Sequence, residues 1–283
     1  MKMTLLNGSV IMVKTSVLVL LVLALSACMQ ENAADPVLAT DTAEQDQTLR
    51  IAAAANLFDV LPEIVDGYQT ENNLAEKNIE VTFASSGKLY AQIKAGAPYD
   101  VYLSANQAFP AKLAGEHLPD LSVHKSFSYA RGQLTLYSVT RPLGDMQPAA
   151  LTALLMSDTS TKIAIANPEL APYGASAKSY LQAQNVYDVL DEQKRLIQAE
   201  NIGQAFQYTH TGNVDYGLVA QSQVGAIKAT PEQFVTLDPD SYPAILQDGV
   251  VIKDSSMATD FTDYIRSDAG QKYFSQAGYL SIQ

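Results

Sequence analysis

Leu49 to Asp59, LRIAAAANLFD, reads as a β-strand that runs straight into a helix. Leu49 to Ala53 are apolar and small, as a buried strand requires. Beyond them, Leu57, Val60, Leu61, Ile64, Val65 and Tyr68 recur at a spacing of three and four, the period of one helix face. Pro62 falls inside that run and predicts a kink or irregular first turns. Asn56 stands at the junction, where an N-cap belongs. A helix N-terminus aims free backbone N–H groups and the positive end of its dipole outward, which suits an anion. The alanines leave room for a ligand to approach the backbone. Asn56 therefore has two readings, as a helix cap alone or as a residue that faces an anion.

A second stretch has the same form. Phe83 to Ser104 reads FASSGKLYAQIKAGAPYDVYLS. Val81 to Ala84 is a predicted strand, Ser85, Ser86 and Gly87 the turn, and Leu89 to Ile93 the start of a helix. Gly96 stops that helix and Pro98 follows. A third unit comes later. Lys162 to Ala166 (KIAIA) is a strand, Asn167-Pro168 breaks it, and Pro172-Tyr173-Gly174 leads into a helix from about Ala175 to Gln184. Tyr173 sits at the mouth of that unit, either as a packing aromatic or as part of a site.

The chain has 283 residues, enough for two lobes. Its composition, 47% hydrophobic and 17% charged, is that of a folded soluble protein once the N-terminus is set aside. A formal charge of −12 argues against a nucleic-acid partner, and any anion would be held by local dipoles rather than by a basic surface. Residues 1–28 read as a lipoprotein signal peptide: Lys2 and Lys14 precede the apolar run Ser16 to Leu25, and Leu25-Ser26-Ala27-Cys28 follows. That tetrapeptide resembles the bacterial lipobox, which makes Cys28 the lipidated residue. The alternative is an ordinary signal peptide cut after Ala27. Cys28 is the single cysteine, so the folded part has no disulfide and no cysteine nucleophile. Residues 29–48 carry five acidic side chains and no basic one, which predicts a disordered tether.

Alternating strands and helices from Leu49 onward predict an α/β fold with mixed sheets covered by helices. Pro148 to Met156 reads as a short helix, Arg195 to Ala199 as a strand, Asn201 as the cap of a helix from Ile202 to Thr209, and Asp215 to Ala220 as a strand. Two helices, about Ser256 to Arg266 and Ala269 to Ala277, close the chain. His117, His124 and His210 have no partner at metal-ligand spacing and read as surface residues.

Together these pieces resemble the molybdate-binding proteins of ABC importers. The resemblance rests on AAAANL at 52–57, FASSGKL at 83–89, IKAGAPYDVYLSAN at 93–106 and ANPELAPYG at 166–174. It implies a two-lobed periplasmic-binding-protein fold of type II with a cleft between the lobes. Lobe 1 would comprise 49–130 and 244–283, and lobe 2 131–243. It implies a monomer in the periplasm or cell envelope, anchored to the membrane by its lipid. That monomer would deliver molybdate or tungstate to a permease and ATPase, with no cofactor and no free metal cation. By resemblance the donors to the oxyanion are the backbone N–H of Ala55, the side chain and backbone of Asn56, the hydroxyl and backbone of Ser86, and the backbone N–H groups of Tyr173 and Ile202. One departure stands out. Many relatives carry a tyrosine after the glycine-hydrophobic-valine strand, where this chain has Ala220.

Neutral donors suit such a ligand. They make charge-assisted bonds in a dry cleft and reject protonated anions, whose hydroxyl would meet donors and no acceptor. No catalytic constellation competes: the carboxylates do not pair at a recognisable spacing, and neither G-x-S-x-G nor a P-loop occurs. The runner-up is a lipid-anchored sensor or binding protein for another small oxyanion, with an enzyme on the same scaffold behind it.

Overall fold

The computed structural model describes residues 48–74, 78–116, 122–144 and 146–282. The expected signal peptide with Cys28, all of the expected tether except Thr48, and His117 lie outside them. Two five-stranded mixed sheets organise the rest. The first contains β1 (Leu49–Ala54), β2 (Ile79–Ala84), β3 (Val101–Leu103), β4 (Phe127–Gly132) and β10 (Ile245–Val251), in the order β2-β1-β3-β10-β4. The second contains β5 (Leu134–Tyr137), β6 (Ile163–Ala166), β7 (Leu196–Ala199), β8 (Tyr216–Ala220) and β9 (Phe234–Thr236), in the order β7-β6-β8-β5-β9. The chain passes from the first sheet to the second between β4 and β5 and returns ahead of β10.

The apolar run of β1 follows from its position. Ile51 and Ala53 pack into one cluster with Leu61, Ile64, Tyr68, Phe261 and Phe274. Ala52 points to the opposite face, into a cluster with Leu89, Ile93, Tyr102 and Leu113. Successive side chains of a strand face opposite sides, and helices cover both, so the whole strand is apolar. The covering helices are α1 (Leu61–Asn72), α9 (Ser256–Arg266) and α10 (Asp268–Gln276) on the first face, and α2 (Ser86–Lys94) and α3 (Ala108–Gly115) on the second. The second sheet is covered by α4 (Leu151–Ser157), α5 (Pro172–Ala183), α6 (Tyr187–Glu192), α7 (Ile202–His210) and α8 (Gln221–Ala226).

Register decides where the helices start. Parallel β1 and β2 pair Ala54 with Ala84, so the turns that follow both strands emerge side by side. Parallel β6 and β7 pair Ala166 with Ala199, with the same result. In an open α/β sheet the crevice beyond these carboxyl ends is where ligands bind.

Several local expectations change. Residues 55–57 form a 3-10 turn capped by Ala54, and α1 starts only at Leu61, so Asn56 is not an N-cap. Pro62 falls in the first turn of α1, where its missing N–H costs nothing, and it kinks nothing. Helix α5 starts at Pro172, three residues before the expected start, for the same reason. Asn201 does cap α7, accepting from the Gln204 N–H at 3.0 Å. His210 faces solvent but is not alone. It stacks on Phe206 at 5.3 Å, and its Nδ1 lies 2.8 Å from the Tyr137 hydroxyl. His124 pairs with Asp254. Arg195 is 1% exposed and ties the end of α4 to β7, donating to Leu155 O at 2.5 Å, Thr161 O at 2.9 Å and Thr161 Oγ1 at 2.7 Å.

Candidate functional site

Four helical starts converge on one cavity. The 3-10 turn brings Ala55 and Asn56, α2 brings Ser86, α5 brings Tyr173, and α7 brings Ile202. All five residues line the same space, together with Ala54, Ser85, Ala105, Ala171, Pro172 and Asn201. Each of the five sits at the first or second position of its helical element. The backbone N–H groups there have no partner inside the helix. Gly174 lets α5 come this close: a Cβ on it would lie 2.2 Å from Ala166 O, at the end of β6.

The cavity is small: its empty space, counted together with its opening to solvent, is about 190 Å³. A drug-sized ligand would not fit there. No residue lining it is charged. Arg195, the buried cation among the described residues, lies at the start of β7, the end of the strand remote from the crevice. At the rim, Lys88 on α2 and Glu200 ahead of α7 form an ion pair at 2.6 Å, so the two charges offset one another.

Ser86 is prepared as a donor. Its Oγ accepts from the Ala105 N–H at 3.0 Å, which leaves the hydroxyl hydrogen free for another acceptor. Its carbonyl accepts from the Tyr102 hydroxyl at 2.7 Å, and burial pushes the Tyr102 phenol upward so that it stays a donor. Tyr173 lines the cavity and is buried in the core of its lobe. That phenol is raised well above its ordinary range by burial, and its hydroxyl lies 3.4 Å from Gln247 Nε2.

The lobes touch around the cavity. The Gly87 N–H, on α2, donates to Leu170 O at 2.8 Å, and a Cβ on Gly87 would lie 3.1 Å from both Leu170 Cα and Leu170 O. Ser222 Oγ donates to Asn56 O at 3.4 Å. Outside the cavity the cleft widens to a mouth where Phe58, Asp59 and Phe83 of one lobe face Phe206 and Gln207 of the other.

The structure adds residues that sequence reasoning missed. Ser85 Oγ lines the cavity, buried and without a hydrogen-bond partner. Gln247 and Tyr279 hold the Asn56 side chain from behind, Asn56 Nδ2 donating to Gln247 Oε1 at 2.9 Å and to the Tyr279 hydroxyl at 3.0 Å. A signal for Gln247 was present, namely a polar residue in the middle of the otherwise buried strand ILQDGVV. Ala220 does not line the cavity. It is fully buried, and its N–H donates to Gln223 Oε1 at 3.0 Å.

Two α/β lobes, two chain crossings and a small neutral cavity between helix starts define a type II two-lobed solute-binding protein. The chain belongs to the bacterial extracellular solute-binding proteins, which it matches over residues 49–280, and within them it is ModA-like. It is 32% identical to the molybdate-binding protein ModA of Azotobacter vinelandii, over 84% of this chain and 91% of that one. It is 28% identical to the putative ABC transporter substrate-binding lipoprotein YvgL of Bacillus subtilis strain 168, over 84% and 88%. The solved structure of the Azotobacter vinelandii periplasmic molybdate-binding protein superposes with a TM-score of 0.72 at 30% identity, covering 83% of this chain and all of that one.

Proposed function

We propose that this protein binds molybdate or tungstate between its lobes and delivers it to the permease and ATPase of an ABC importer. The observation that carries the reading is the cavity itself: helix N-termini from both lobes meet around a small space with no charged wall. Ala55, Asn56, Ser86, Tyr173 and Ile202 supply the donors. Helix N-termini favour anions, and fixed neutral donors accept one without the indiscriminate pull of a lysine or arginine. The relatives named for molybdate support the identity of the anion. Size supports the exclusion of sulfate. Mo–O and W–O bonds are longer than S–O bonds, so donors set for the larger anion meet the smaller one with stretched hydrogen bonds. Charge-assisted bonds are worth roughly 1.5–3 kcal/mol each, and spoiling several separates the anions by powers of ten.

In the cell the protein acts as a monomer held at the envelope by a lipid on Cys28, with 29–48 as a leash. The lipoprotein name of the Bacillus relative supports this anchor. The test is metal content. Protein purified from cells grown with molybdate carries about one molybdenum per chain, and the Ser86→Ala variant carries much less. Protein that retains no molybdenum or tungsten, with or without the substitution, refutes the reading.

A further inference from the structure

Asn56 is 1% exposed and Gln247 is fully buried. Asn56 Nδ2 spends both hydrogens on Gln247 Oε1 and the Tyr279 hydroxyl, which leaves Oδ1, the other end of the amide, buried without a partner. An acceptor in the wall of an anion cavity repels the ligand. Gln247 Oε1 also accepts from the Tyr129 hydroxyl at 3.0 Å, and Gln247 Nε2 donates to the Tyr173 hydroxyl at 3.4 Å. Two amides and three phenols are thus wired together behind the cavity.

We propose that Gln247 is a positioning residue for the oxyanion site: the Asn56 and Gln247 amides turn over as a pair, and only the turned pair presents an Asn56 N–H to the anion. The proposal rests on the oxyanion reading above. Turning both amides by half a revolution leaves every group satisfied. Gln247 Nε2 then donates to Asn56 Oδ1 and to the Tyr129 oxygen, whose single hydrogen moves from Gln247 to Ser104 O, 2.9 Å away. Gln247 Oε1 accepts from the Tyr173 hydroxyl. The Tyr279 hydroxyl, which donates to Asn56 O at 2.8 Å, shifts its hydrogen to Asn56 Oδ1, and Ser222 Oγ keeps Asn56 O. Asn56 Nδ2 is released toward the cavity. Turning Asn56 alone would set its Oδ1 against Gln247 Oε1, acceptor to acceptor, so the two must move together. Burial raises all three phenols, Tyr279 to about 12, so each remains a donor across the working pH range. Because Tyr173 belongs to the second lobe, the anion on one side of Asn56 also sets a hydrogen bond between the lobes.

The test is a double-mutant cycle with a spectroscopic readout. Wild type, Gln247→Met, Asn56→Ala and the double variant are titrated with molybdate, and the side-chain amide resonances of 15N-labelled wild type are recorded with and without it. The resonances are assigned by their loss in the single variants. Gln247→Met weakens binding about 10–100-fold, as expected when one charge-assisted bond is lost. On top of Asn56→Ala it costs less than about two-fold, since its effect runs through Asn56. Molybdate shifts the Asn56 and Gln247 amide signals together. Gln247→Glu serves if the Met variant is unstable: its carboxylate only accepts, holds Asn56 in the unturned state and weakens binding as Gln247→Met does. Additive single effects, a Gln247 signal that molybdate does not move, or variants that bind like wild type overturn the relay alone. A wild type that binds no molybdate, tungstate, sulfate or phosphate overturns the oxyanion reading and the relay with it.

Discussion

Gly87→Ala tests how tightly the lobes must meet. The Gly87 N–H donates across the cleft to Leu170 O at 2.8 Å, and a new Cβ would stand 3.1 Å from Leu170 Cα and O and 3.2 Å from Leu170 Cδ2. Two of those three atoms are backbone, which cannot swing aside as a side-chain tip can. The lobes must separate by a few tenths of an ångström, stretching the hydrogen bond between them. That bond is worth about 0.5–1.5 kcal/mol, and the crowding adds to its loss. A total of about 1–2 kcal/mol weakens ligand affinity roughly 5–30-fold. Gly87 has an ordinary helical position and a partner only in the other lobe, so each lobe folds as before. Calorimetric titration with molybdate measures the first effect, and thermal unfolding of the ligand-free protein checks the second. Unchanged affinity would show that the lobes do not close through this contact. A large fall in the ligand-free melting temperature would show that it belongs to the fold rather than to closure.

Ser86→Ala removes a hydroxyl whose hydrogen has no other acceptor, and should weaken molybdate binding by about 1–3 kcal/mol in the same titration while the fold survives. Arg195→Met strips donors from Leu155 O, Thr161 O and Thr161 Oγ1 and should cost about 2 kcal/mol or more, read as a melting temperature lower by roughly 4–8 °C, without changing the intrinsic affinity. Asp59→Asn concerns pH. Desolvation raises the Asp59 carboxyl above 3.8, so its favourable contribution to folding is complete below the unfolded value and is lost as pH rises through the folded one. The asparagine variant should therefore gain little stability at pH 3 and melt slightly higher than wild type at pH 7. Equal differences at both values would remove Asp59 from the account.

The strand–turn–helix units at Leu49, Ile79 and Ile163 were legible because small or β-branched runs end abruptly at polar turns, and four of the five proposed donor positions follow those turns, Ile202 following β7 instead. Their convergence was not legible from local signals, since it depends on the pairings of Ala54 with Ala84 and of Ala166 with Ala199 across long sequence gaps. The cap reading of Asn56 failed because a 3-10 turn and a helix share one continuous apolar pattern. In the structure the turn closes at Leu57 and α1 begins only at Leu61. Strand β4 was missed because its residues Phe127 to Gly132 mix polar and apolar positions. Antiparallel pairing with β10, which carries a bulge at Gln247 and Asp248, holds it in place. Gln247 has meaning only once that pairing sets it beneath Asn56.

If neutral donors from helix starts in both lobes select a molybdate-sized oxyanion, isothermal titration of the purified protein with molybdate, tungstate, sulfate and phosphate will show one tight site per chain for molybdate or tungstate. Sulfate and phosphate will bind more weakly by several powers of ten. Sulfate or phosphate binding as tightly as molybdate would contradict that selection.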